Sequence, residues 1–76
     1  MEILTLDRLK KDESACALRI DADKSIKRRL YDLGLTRGTK IKCVGKSPLG
    51  DPGAYLIRGA VIVIRNCDSK NIMLVQ

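Results

Sequence analysis

With 76 residues, a formal net charge of +6 and a pI near 9.6, the chain has room for one small domain (1–76) and carries a basic surface. It has no histidine, phenylalanine or tryptophan, so it lacks the commonest transition-metal ligand and the usual base near neutral pH, and its core is expected to be aliphatic. No apolar run reaches the length of about 18 residues that a membrane-spanning helix needs, and Met1-Glu2-Ile3-Leu4-Thr5-Leu6-Asp7 lacks the basic start and apolar stretch of a secretory signal, so the expected compartment is the cytoplasm.

Ile3, Leu4 and Leu6 open a first short strand, followed by a single turn at Asp7-Arg8-Leu9 that tucks Leu6 and Leu9 inward. After the polar loop Lys10–Ser14, residues 15–20 alternate as a second strand, with Cys16, Leu18 and Ile20 on one side and Ala15, Ala17 and Arg19 on the other. Asp21-Ala22-Asp23 breaks that strand. Over about 24–33, Ile26, Leu30 and Leu33 recur at i, i+4 and i+7, which puts them on one face of a short helix. Asp23 or Ser25 is placed to cap its start. Lys24, Lys27 and Arg28 take its solvent side, and Arg28 faces Asp32 at i+4. Gly34 stops the helix, and Leu35 is placed to fold back on the last turn.

Thr36-Arg37-Gly38-Thr39 reads as a tight turn with Gly38 at positive φ. Residues 39–46 then alternate, Lys40 and Lys42 outward and Ile41 and Cys43 inward, as in a half-buried strand. Pro48-Leu49-Gly50-Asp51-Pro52-Gly53 suits neither helix nor central strand, because its prolines lack an amide hydrogen and its glycines loosen the backbone. Residues 54–58 form a strand, Gly59-Ala60 a hairpin connection, and 61–65 an unalternating run suited to a central strand covered on both faces or to a strand inside a small barrel. Asn66–Asn71 forms one turn and 72–75 a last strand. Gly34, Gly38 and Gly59 serve backbone geometry. Short strands with turn signals every 8–12 residues describe a mainly β chain: a small closed or partly closed antiparallel barrel of five to six strands with one inserted short helix.

No nucleophile–base pair and no phosphate-binding loop motif is present, so the chain is not expected to be an enzyme. Cys16, Cys43 and Cys67 are widely spaced and odd in number, against both a disulfide framework and a zinc knuckle. Asp7, Asp21, Asp23, Asp51 and Cys67 do not cluster in sequence as ferrous ligands would. The basic residues are dispersed apart from Lys10-Lys11 and the group Lys24, Lys27, Arg28, Arg29. That leaves a solvated basic surface, with nucleic acid as the rival reading. Only Tyr31 and Tyr55 could stack on bases, whereas single-strand binders use several aromatics.

The run RRLYDLGLTRGTKI, then SPLGDP, then YLIRGAVIVIR resembles the ferrous iron transport protein A (FeoA) family over Ile3–Val75. The resemblance implies an SH3-like barrel with a helix inserted between early strands. It also implies a cytosolic accessory protein that docks on a membrane ferrous iron permease, at its cytosolic GTP-binding part, and assists or regulates uptake. On that reading Pro48, Leu49, Gly50, Asp51 and Pro52 form the partner-contact loop, with Arg28, Arg29 and Leu35 as further contact residues. No cofactor is implied beyond weak or adventitious divalent metal, and no nucleic acid. The protein would reach the membrane only through its partner, as a monomer or weak homo-oligomer. The same module is appended to some metal-dependent repressors, which leaves a stand-alone form of that domain as an alternative.

Overall fold

The computed structural model describes residues 2–76. Its strands are β1 (Ile3–Thr5), β2 (Ser14–Ile20), β3 (Lys40–Lys46), β4 (Gly53–Ile57), β5 (Ala60–Ile64) and β6 (Ile72–Val75). Helix α1 (Lys24–Asp32) joins β2 to β3, and a single turn, α2 (Asn66–Ser69), joins β5 to β6. A 3-10 turn over Leu6–Arg8 follows β1. The six strands form one antiparallel sheet in the order β1-β6-β2-β3-β4-β5. Among the described residues the two end strands do not pair with each other, and the 3-10 turn after β1 packs on α2, which follows β5. Two long-range bonds tie that turn down: Lys46 Nζ donates to the Asp7 carbonyl at 2.6 Å, and the Tyr55 hydroxyl reaches the Leu6 carbonyl at 3.5 Å.

Helix α1 is too short to persist alone in water, so packing has to hold it. Leu30 is buried against the sheet and Ile26 is partly buried there; a fully buried leucine contributes about 1.5–3 kcal/mol. Asp23 is the N-cap residue, but its side chain makes no capping bond. The C-terminus is better satisfied. The Leu35 amide donates to the Leu30 carbonyl at 3.0 Å and the Gly34 amide to the Tyr31 carbonyl at 2.9 Å. With Gly34 at φ 98°, this pair of bonds is a Schellman stop. The stop drives Leu35 into the core, where it is 1% exposed, while Leu33 is left 43% exposed. The apolar stripe thus runs through Ile26, Leu30 and Leu35 rather than ending on Leu33.

The core gathers Leu6 and Leu9 beside inward residues of β2 to β6 in one cluster. It is aliphatic except for Cys43 and Tyr55, both fully buried. Gly53 makes room for the Tyr55 ring: a Cβ on Gly53 would run into the Tyr55 hydroxyl and come within 2.8 Å of Cζ.

Four expectations are corrected by the structure. In β2 it is Ala15 and Ala17 that are buried while Cys16 is exposed, yet Ile20 is also buried. A bulge between Ala17 and Arg19 shifts the register against β6, and one extra residue exchanges the faces of a strand. The β4–β5 connection is Arg58-Gly59, one residue earlier than expected, because Ile57 pairs with Ala60. Arg58 and Gly59 have φ of 49° and 82°, the positive values of a type I′ hairpin turn. Of the two readings of 61–65 the central strand is the one that fails: β5 lies at an end of the sheet order, and Val61 and Val63 are 61% and 63% exposed. Among the described residues the ion pairs are Arg19–Asp21 and Arg29–Asp68, so Arg28 does not pair with Asp32.

Candidate interaction surface

The β3–β4 connection is a shaped protrusion. Within it, the Gly50 amide donates to the Ser47 carbonyl at 2.8 Å, closing a turn over Ser47–Gly50. The Ser47 hydroxyl accepts from the Asp51 amide at 3.1 Å and donates to the Asp51 carbonyl at 2.7 Å. The Ser47 amide donates to the Pro52 carbonyl at 3.1 Å, and the Asp51–Pro52 peptide is cis. The loop is also fastened from outside. Asp51 Oδ1 accepts from the Asn66 amide at 3.0 Å, which caps the first turn of α2. Asn66 Nδ2 donates to the Gly50 carbonyl at 3.4 Å. The polar groups of the loop are therefore turned inward and toward α2. Leu49 stands at the tip, 94% exposed. A rigid loop of this kind loses little conformational entropy when it docks.

The other contact residues expected from sequence are placed differently from one another. Arg28 is exposed on α1. Arg29 is exposed too, but it lies 3.6 Å from Asp68 and so bridges α1 to α2. Leu35 is in the core and cannot meet a partner without unfolding the helix stop; that expectation is corrected. Asp51 is committed to holding the loop, and Pro48 and Pro52 lie exposed beside Leu49.

Sequence reasoning missed Arg58. Its Nε donates to the Gly34 carbonyl at 2.9 Å, and its Nη2 donates to the hydroxyls of Thr36 at 3.1 Å and Thr39 at 3.2 Å. One side chain thus fixes the β4–β5 turn against the end of α1. The available signal was the Arg-Gly pair directly after an alternating strand. Periodicity alone assigns Arg58 to the end of that strand instead of to the start of the turn.

Burial pushes the Tyr55 phenol up to about 12, with the charges of Cys43 and Asp7 adding to it. Tyr55 is thus unavailable for stacking, and Tyr31, 42% exposed, is the one tyrosine on the surface. That removes the aromatic platform a nucleic-acid reading would use. Among the described residues no three Cys, Asp or Glu side chains gather as a metal site would need, and no helix is long and apolar enough to cross a membrane.

The model of the FeoA domain matches residues 4–76. The chain belongs to the FeoA family. Among curated proteins none matches it. The FeoA protein of Chlorobium tepidum is 33% identical, with a TM-score of 0.87 over 95% of this chain and 70% of that one. The FeoA-like protein of Clostridium acetobutylicum is 28% identical, with a TM-score of 0.86 over 97% and 86%. The zinc complex of Stenotrophomonas maltophilia FeoA, described as an SH3 domain protein, is 27% identical, with a TM-score of 0.83 over 93% and 88%. The fold is accordingly the SH3-like barrel that the sequence resemblance implied. A manganese-dependent transcriptional repressor shares the fold at 16% identity, with a TM-score of 0.89 over 100% of this chain and 37% of the repressor. The family is associated with ferrous iron transport.

Proposed function

We propose that this FeoA protein is a non-enzymatic cytoplasmic accessory factor of ferrous iron uptake. It docks through the Leu49 loop on the cytosolic, GTP-binding part of the ferrous iron permease and assists or regulates transport. The observation that carries this reading is a leucine 94% exposed on a loop that is otherwise internally bonded and capped onto α2. Covering that side chain on docking would contribute about 1.5–3 kcal/mol, and a protruding apolar tip is placed to be covered by a partner. The Stenotrophomonas maltophilia relative, described as a candidate activating factor of ferrous iron transport, supports the same role. Arg28 and the basic α1 surface around it would meet acidic groups on the partner.

A pull-down of the purified permease cytosolic domain on immobilised protein tests this. The wild type should retain the domain, and Leu49→Asp should weaken retention at least tenfold without lowering the unfolding midpoint. Equal retention by both proteins would overturn the role of the loop. No retention by either would overturn docking on that domain.

A further inference from the structure

The outer face of β2, β3 and β4 carries a cleft separate from the Leu49 loop. It has a volume of roughly 720 Å³, and Asp12, Ser14, Arg37, Lys40, Lys42 and Arg58 line it. The sheet register dictates this grouping. Ser14 pairs with Lys42 and Cys16 with Lys40, so both lysines project from the middle of the sheet on its outward side. On the next strand Lys42 is opposite Leu56, two residues before Arg58. The turns at Gly38 and Gly59 bring Arg37 and Arg58 to the rim.

Four cations therefore surround one cleft with one carboxylate, that of Asp12, against them. None of the four is in an ion pair, since the pairs among the described residues are Arg19–Asp21 and Arg29–Asp68. Four positive charges lining one cleft make its potential positive and favour a bound anion there. Arg58 is the decisive member. Its backbone sits at φ 49°, a conformation that costs a non-glycine residue roughly 1–2 kcal/mol. Its guanidinium is locked by Gly34, Thr36 and Thr39 through Nε and Nη2. The Nη1 group has no protein partner among the described residues, so a planar fork is fixed in advance with one arm free.

We infer that this cleft binds the phosphoryl group of a soluble small molecule. The lining is charged and hydroxylic, with Leu56 its one large apolar side chain, so charge and hydrogen bonding rather than apolar burial would hold the ligand. The cleft has room for more than one phosphoryl group, which suits a diphosphate. The inference is independent of docking by the Leu49 loop.

Inorganic pyrophosphate is the probe, titrated at constant ionic strength into nitrogen-15-labelled protein. Saturable shifts are expected at the Gly38, Lys40, Lys42 and Gly59 amides and at the Arg58 Nε–H. The variant Lys40→Glu/Lys42→Glu should lose at least tenfold in affinity. Lys24→Glu/Lys27→Glu, with the same change in net charge on α1, should change by less than twofold. If the first variant unfolds, Lys42→Gln is read in the same way, with a loss of at least threefold expected. A parallel flotation with phosphatidylglycerol vesicles separates the sources of the phosphoryl group. Flotation lost in the cleft variant, without pyrophosphate shifts, would assign the group to a lipid headgroup and overturn the soluble ligand. Unsaturable shifts spread over all basic residues, or equal losses in the two double variants, would overturn the site.

Discussion

The Arg58 guanidinium rests on the Gly34 carbonyl, with Nε 2.9 Å from the oxygen, across 24 residues of sequence. The hairpin turn of β4–β5 and the Schellman stop of α1 thereby hold each other. A Cβ at Gly34 would lie 2.8 Å from Arg58 Cδ, on a backbone already at φ 98°. Gly34→Ala should therefore destabilise by about 1–3 kcal/mol, combining left-handed strain with displacement of Arg58. Arg58→Ala should cost about 1–2 kcal/mol through the three lost bonds. The double variant should cost less than the sum, since both disturb one contact. Urea unfolding of the three variants measures this, and additive losses would refute the coupling.

Gly53→Ala should be among the more damaging single-methyl additions in the chain. The new Cβ has the buried Tyr55 ring in its path, with Cζ at 2.8 Å, and overpacking of this kind costs about 1–3 kcal/mol. Tyr55→Phe removes the hydroxyl that the methyl meets first. The pair Gly53→Ala/Tyr55→Phe should recover part of the loss in thermal unfolding.

Stability should fall at high pH because of Tyr55. The folded-state phenol is raised from 10.0 to about 12, so the neutral form is the one the fold prefers. The contribution is complete below pH 10 and is lost as pH rises through 12. Two pKa units correspond to at most about 2–3 kcal/mol. Tyr55→Phe should flatten the loss of stability between pH 10 and 12, followed by circular dichroism. An unchanged slope would mean that the ring ionises freely.

Asp51 and Leu49 should separate stability from recognition. Asp51→Ala removes the acceptor for the Asn66 amide and should cost about 1 kcal/mol, a usual value for a lost cap. Hydrogen exchange at Asn66 should accelerate with it, while Asp51→Asn should retain most of the protection. Leu49→Asp touches nothing in the fold and should leave stability within about 0.5 kcal/mol.

Much of this architecture was readable from periodicity and turn chemistry. The stripe Ile26–Leu30, the glycine stop and the alternation of Lys40, Ile41, Lys42 and Cys43 are local properties, and local physics decides them. Features set by distant contacts were not readable. The bulge at Ala17 depends on how β6 lies against β2. The apolar run of β5 suggested a central strand, but burial depends on what covers a strand, and Val61 and Val63 are uncovered. At the candidate surface, the exposure of Leu49 followed from the loop, whereas the role of Asp51 required knowing that Asn66 lies beside it. Arg58 was hidden for the same reason: its partners are 19 to 24 residues away.

The position of β5 at the end of the sheet has a consequence for handling the protein. Ala60–Ile64 contains neither charge nor proline, the composition from which steric zippers grow. Arg58 and Arg65 stand at its two ends, where their mutual repulsion acts as a gatekeeper against stacking of one molecule on the next. Concentrated salt screens that repulsion, so fibril growth seen by thioflavin fluorescence should start sooner at 1 M than at 0.1 M sodium chloride.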